Sequence, residues 1–276
     1  MESQSSFDAY RMPDAMWEKI RLLLPDYKTC LLGGRPRRDL RSVADAIFYR
    51  LRTGCQWKAI PKSLAPGSTA HAYFQEWVQL GIFARLWQTA LELYDDLVGL
   101  DWRWQSVDGA MTKAPLGGES TGKNPTDRAK SGTKRSLLTE AAGIPTGLAV
   151  GGANVHDIRL LRTTLRDALM RSRGIHCGVK EHLCMDKGYD SVAVRNMVEN
   201  VFDYIPHVRT RGEEKKSKRN SRQRARRWVV ERTHSWMNRF RAILVRWDKK
   251  LSNNIAGYTL HALTSHLNAR GFSDRL

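Results

Sequence analysis

Apolar residues repeat with a helical period through the first hundred positions, then give way to alternation. In LRSVADAIFYRLRTG, Val43, Ala46, Ile47 and Leu51 fall on one face. Asp39 is placed to cap that helix and Gly54 to end it. AMWEKIRLLL predicts an earlier helix, capped by Asp14 and stopped by Pro25. TAHAYFQEWVQLG predicts a later one capped by Ser68, and IFARLWQTALELYDDLVG follows it. Helix, Pro/Gly connection, helix is the outline of a helix-turn-helix module, with a small structural bundle as the alternative; the basic residues beside it favour DNA binding.

Past Gly99 the pattern is that of strands. WRWQSVDGA sets Trp102, Trp104 and Ser106 on one face and Arg103, Gln105 and Val107 on the other. KRSLLTEAAGIPTGLAVGGA predicts two strands around a Gly143-Ile144-Pro145 turn. HDIRLLRTTLRDALMRS is an amphipathic helix, and EHLCMDKGY a short strand ending in an acid. DSVAVRNMVEN is a helix capped by Asp190 or Ser191, and FDYIPHV another strand. A charged loop then leads to one long helix from about Arg222 to Trp247. Three strands, helix, strand, helix, strand, helix predicts an α/β domain built on a mixed five-stranded sheet. The expected division is a helical DNA-binding domain over 1–100, a sheet domain over 101–250 with a basic loop at 209–221, and a C-terminal helix and tail over 251–276.

Charge narrows the partners. Lys and Arg number 46 against 28 Asp and Glu, a net +18. From Arg209 to Lys250 there are 16 Lys/Arg and 4 Asp/Glu, so 16 − 4 = +12 lies in that one segment. Such a balance points to a polyanion, most often nucleic acid. Arg35, Arg37, Arg38 and Arg41 cluster beside the predicted helices. Lys113, Lys123, Arg128, Lys130, Lys134 and Arg135 read as a second DNA-contacting group. The four cysteines form no C-x-x-C pair, so no zinc site is expected. No leader-like start or long apolar run is visible, which predicts a cytoplasmic, nucleoid-associated protein with no membrane partner. GGESTGKN resembles a nucleotide-binding loop, but Asn124 fills the Ser/Thr slot and Pro125 prevents the helix that should follow.

Three acids stand out against this basic background. Asp108 ends the first strand, Asp186 ends the fourth, and Glu231 lies on the last helix. Singly, each is as readily a surface charge or a helix cap. Together they fit another arrangement, because adjacent strands ending at one sheet edge present their last residues side by side. Carboxylates so placed repel one another unless a cation joins them. Hard oxygen ligands suit Mg²⁺ or Mn²⁺, and two such ions clamp the attacking and leaving oxygens of a phosphodiester.

Five stretches carry a resemblance over nearly the whole chain: GRPRRDLRSVADAIFYRLRTGCQWKAIP, SVDGAMTKA, NPTDRAKSGTKRSLLTEAAGIPTGLAVGGANVHD, MDKGYDS and VVERTHSWMNRFRAILVRWDKK. In these the chain resembles the DDE transposases of bacterial insertion sequences, specifically the insertion-sequence-five group. The resemblance implies a ribonuclease H-like catalytic domain with Asp108, Asp186 and Glu231 as its metal-binding triad. It implies two Mg²⁺ or Mn²⁺ ions per site, with Asp108 bridging them. It also implies double-stranded DNA as partner, both element ends and target, bound by a homo-oligomer that cleaves and joins strands. Related elements carry a signature of Tyr, two residues, Arg, three residues, Glu, six residues, Lys. Arg227 and Glu231 fit it, while Arg224 and Asn238 stand in the Tyr and Lys slots. Arg227, Glu231, His234 and Asn238 recur at helical spacing, so Arg224, Arg227 and Asn238 are expected on DNA. His234 is expected either on the scissile phosphate or in an ion pair. The resemblance also sets Asn154, His156 and Asp157 near the site, with Asp157 alternatively a helix cap. A non-mobile nuclease or resolvase on the same fold, and a silent DNA-binding regulator, are the other functional classes; the intact triad argues for the enzyme.

Overall fold

Helical periodicity and capping chemistry build the first elements. The computed structural model describes residues 10–27, 36–168, 180–208 and 228–268. Helix α1 spans Asp14–Arg21, α2 Leu40–Thr53, α3 Gly67–Gln79 and α4 Ile82–Leu97. Asp39 caps α2 as expected, its carboxylate accepting from the Arg41 and Ser42 backbone N–H groups, and Gly54 ends that helix at φ 69°. A left-handed residue there favours glycine. The other two caps differ from expectation. Pro13 and Pro66 occupy the N-cap positions, so Asp14 opens α1 and Ser68 sits inside α3. Prolines fit a helix start because they have no N–H to leave unsatisfied. Residues 54–66, with a 3-10 turn at Trp57–Ala59, join α2 to α3. Asp45, wholly buried in α2, is offset by Arg11 at 2.9 Å, Arg41 at 3.2 Å and the Met12 N–H at 3.1 Å.

The second half forms one mixed sheet. Strand β1 spans Trp104–Lys113, β2 Gly122–Lys123, β3 Ser131–Thr139, β4 Pro145–Gly152, β5 Glu181–Met185 and β6 Tyr204–Val208. Helix α5, Asp157–Arg166, leads toward β5, and α6, Val192–Asn200, connects β5 to β6. The spatial order is β4-β3-β1-β5-β6, with the two-residue β2 also on β3. β1, β3 and β4 pair antiparallel, while β1-β5 and β5-β6 pair parallel. That order, with helices crossing between the parallel strands, is the ribonuclease H-like sheet. The β2 pairing, inside GGESTGKN, was not evident in the alternation pattern because two residues carry no period.

Alternation decides what each face does. Val107, Leu138, Leu183, Met185 and Val208 point to one side, where Leu161 and Leu165 of α5 and Val194 and Val198 of α6 complete the core. Asp108 and Arg135 point to the other. Helix α7, Trp228–Met237, packs against β1 and β3. The hairpin between β3 and β4 is pinned by the buried Glu140, which accepts from the Ala142 and Ile144 N–H groups at 2.8 Å.

The expected single helix from Arg222 to Trp247 is not continuous. It ends at Met237, and α8, Arg241–Leu244, is a separate turn before α9, Leu251–Asn268. The break falls where Phe240 takes an extended backbone, φ −88° and ψ 105°, and buries its ring edge-on against Phe48 and His261. Burying an aromatic ring outweighs local helix propensity. The chain forms two compact units, Met1–Ala90 with Asn238–Leu276, and Leu91–Met237. The segment after Met237 thus groups with the first helices, a different cut from the expected one at residue 250. Among the described residues no helix is long and apolar enough to cross a membrane.

Candidate active site

Two of the singled-out acids meet through strand register. Parallel β1 and β5 pair Trp104 with His182 and Ser106 with Cys184, where the ladder between them stops. Asp108 and Asp186 each stand two residues further on. They therefore occupy matching register positions just past the last pair. The Asp108 carboxylate accepts from the Gly109 N–H at 2.9 Å. That of Asp186 accepts from the Lys187 N–H at 2.6 Å, opening the 3-10 turn Lys187–Tyr189.

Glu231 arrives from a different direction. It lies exposed in the first turn of α7, three residues before His234. His234 locks that helix to β1: its Nε2 stands 3.4 Å from the Asp108 carbonyl, and its Nδ1 accepts from Arg135 Nε at 3.1 Å. Arg135 is permanently charged and can only donate, so Nδ1 is the acceptor and the proton sits on Nε2. Burial, then the Arg135 charge, hold the imidazole neutral, its pKa pulled down to about 3, against a smaller raising effect of the Asp108 carbonyl. A buried ring with both nitrogens engaged has no donor for a scissile phosphate. Of the two expected roles, phosphate ligand or ion-pair partner, His234 takes neither: it is a neutral, hydrogen-bonded internal brace. From the expected four-residue face, Glu231 and His234 lie on α7 and the exposed Asn238 follows its last residue, while Arg224 and Arg227 lie outside the described residues.

A third carboxylate stands near the first two. Asp157, the first residue of α5, faces Lys134, whose Nζ lies 3.1 Å from Oδ1, 3.2 Å from Oδ2 and 2.9 Å from the Val155 carbonyl. His156, not Asp157, caps α5, through Nδ1 to the Ile158 N–H at 3.3 Å. Tyr189 is fully buried. Burial drives its phenol pKa well up, and the charges of Asp157, Asp108 and Asp186 add to the shift. Among the described residues, no three His, Cys, Asp or Glu side chains stand close enough to hold a metal ion as they lie.

The predicted DNA contacts divide. Lys123 and Arg128 are exposed, as are Arg37 and Arg38. Lys134 and Arg135 are instead buried on β3, and Arg41 is tied to Asp14, Asp45 and the Met12 carbonyl. These three are corrected from DNA contacts to internal partners, because each guanidinium or ammonium serves groups of its own chain. Arg35 lies outside the described residues. SGTKRSLLT is buried from Gly132 onward because α5 covers one face of β3 and α7 the other, so its polar residues are enclosed too.

The fold, with Asp108 inside β1 and Asp186 just past the end of β5, defines a ribonuclease H-like protein with two acids at matching positions beyond the paired residues of its parallel strands. A family model described as "Putative transposase of IS4/5 family" matches residues 12–87, and one described as "Transposase DDE domain" matches 104–265. The second takes in more than half of the chain, and the chain belongs to the DDE transposase family. It is 34% identical over 142 residues to a protein of Burkholderia cepacia named "Putative transposase for insertion sequence element IS402", covering 49% of this chain and 62% of that one. The chain thus spans less than two thirds of that relative. A 16.2 kDa protein of the same insertion element is 26% identical over 123 residues, covering 41% of this chain and 79% of its own. The catalytic domain of Mos1 mariner transposase aligns over 70% of this chain and 93% of its own, at 14% identity and TM-score 0.28. The Mos1 mariner paired end complex with Mn aligns over 93% and 87%, at 12% and 0.28. At those scores the two likenesses carry no weight.

Proposed function

We propose that the chain is a transposase that binds the terminal inverted repeats of an insertion sequence, cleaves the strands there and joins the freed 3′ ends to target DNA. The observation carrying this reading is the matched register of Asp108 and Asp186, in a chain of the DDE transposase family. Their donor chemistry fits a hard divalent cation: two carboxylates side by side, with Asp157 adding negative charge nearby. Asp108, Asp186 and Glu231 would hold Mg²⁺ or Mn²⁺, two ions per site, with Glu231 drawn in from α7. When bound, such ions neutralise charge on the phosphodiester and activate the attacking hydroxyl.

The chain's own residues then have separate tasks. His234 and Arg135 fix α7 on β1, so that Glu231 is presented from a braced helix. Exposed cations, Lys123 and Arg128 in one unit and Arg37 and Arg38 in the other, would hold DNA phosphates without reading sequence. Arg224, Arg227 and Asn238 remain proposed DNA contacts on sequence grounds, and assembly of a homo-oligomer on the ends belongs to the same reading.

The test is Asp108→Ala with DNA carrying the ends of the element. The wild type should nick at the ends in Mg²⁺ and join them to a target, and the variant should bind the ends without cutting. Cutting that survives the substitution removes the assignment. Cutting with no joining by the wild type would mark a nuclease instead.

A further inference from the structure

We propose that Asp157 is a fourth carboxylate of the Asp108–Asp186 site, a positioning residue clamped from the α5 side by Lys134 and facing the buried Tyr189 hydroxyl. The inference rests on the metal-site reading above and extends it to residues that the triad leaves out.

Three independent features converge on it. First, Asp157 is held rather than left to solvent, since Lys134 reaches both of its carboxylate oxygens and the Val155 carbonyl as well. Second, the residue after Asp108 must be small. A Cβ at Gly109 would fall closer to Asp157 Oδ1 than real Cβ atoms come to any group. Gly109 does not have positive φ, so conformational need does not explain the glycine. Space for Asp157 does. Third, the Tyr189 hydroxyl is buried, its residue 2% exposed, and it has no well-formed hydrogen bond, although Ser136 is near enough to lower its pKa slightly. Ser136 Oγ already accepts from Thr164 at 2.8 Å. A buried phenol left with a proton to donate costs free energy unless a partner is within reach. Asp157, Asp108 and Asp186 stand near enough for their charges to act on it.

The arrangement lets Asp157 act on a bound cation through its charge, which adds to the negative field around Asp108 and Asp186. Glu231 and Asp157 then flank the Asp108–Asp186 pair from opposite faces of the sheet. Partners of this outer kind typically change metal affinity by about 10- to 100-fold.

Titration of DNA-free protein with Mn²⁺, followed by the loss of the free-ion electron paramagnetic resonance signal, reads this directly. Asp157→Asn keeps the shape and a group for Lys134 but removes the charge. It should weaken Mn²⁺ binding about 10-fold. Asp157→Glu should recover most of the loss. Tyr189→Phe, which removes one oxygen and keeps the ring in the core, should weaken binding in the same direction. Asp203→Asn, an exposed acid elsewhere on the domain, should change nothing. If Asp157→Asn and Tyr189→Phe both bind Mn²⁺ like the wild type while Asp108→Asn does not, Asp157 is only a helix-start ion pair and the proposal is overturned. If Asp108→Asn itself binds Mn²⁺ normally, the metal-site reading fails first and takes this one with it.

Discussion

Lys134 and Arg135 are neighbours on β3, yet they serve opposite faces of the sheet. Lys134 points to the α5 side and holds a carboxylate that is still 37% exposed. Arg135 points to the α7 side and holds a neutral imidazole in the interior. The first is an ion pair with water at its edge; the second is a charge whose partner must stay uncharged. Strand alternation assigns the faces, but depth decides the energetics. A screened pair at the rim contributes little, whereas a buried guanidinium stripped of its acceptor is costly.

The largest effect should come from the deeper of the two. Arg135→Met leaves His234 Nδ1 buried without its donor, and the domain should lose about 2–3 kcal/mol of stability. Urea unfolding checks this. A loss no larger than that of Lys134→Met would erase the distinction between the faces.

Next in size is a pH effect confined to the α7 side. His234 titrates near pH 3 when folded, against an ordinary value of 6.5. Between those values the unfolded chain binds a proton that the folded one refuses. The His234 contribution is therefore fully present above pH 6.5 and is lost as pH falls toward 3. His234→Gln can still accept from Arg135 and donate to the Asp108 carbonyl, but it cannot titrate. Thermal unfolding from pH 7 down to pH 4 should fall less steeply for this variant. Equal slopes would mean that His234 is not held neutral.

Much of this was legible in the sequence because it depends on local pattern. The element order follows from alternation and helical period, and Asp186 follows from being a strand-end acid; Asp108, expected to end the first strand, instead lies inside β1, which runs on to Lys113 because it stays paired with β3. What was not legible depends on depth and on contacts far apart in the chain. Lys134 and Arg135 looked like surface cations because charge alone does not report that β3 is flanked by β1 and β4. His234 looked like a ligand because its spacing from Glu231 is helical, whereas its partners lie 99 and 126 residues away. Phe240 broke the predicted helix without a proline or glycine to announce it.

On the α5 side a smaller change is expected. Lys134→Met removes the cation from a pair whose acid is more than a third exposed, so the loss should be about 1 kcal/mol or less. Gly109→Ala strikes the same pair from the other direction by pushing Asp157 aside. The two substitutions should then be less than additive in a double-mutant cycle. Full additivity would show that Gly109 and Lys134 act on different groups.

The smallest expected effect separates cations turned inward from those turned outward. If DNA phosphates are held by exposed residues, each of Lys123→Gln and Arg128→Gln should flatten the dependence of log affinity on log salt by roughly 0.9. Lys134→Met should leave that slope unchanged, because its ammonium faces Asp157 and Val155 rather than solvent. Measured by fluorescence anisotropy at several salt concentrations, the contrast needs no knowledge of the end sequence, since phosphate contacts are not sequence-specific. A slope lowered equally by Lys134→Met would mean that Lys134 leaves Asp157 when DNA binds. The α5-side pair would then be a latch that DNA opens, not a fixed brace.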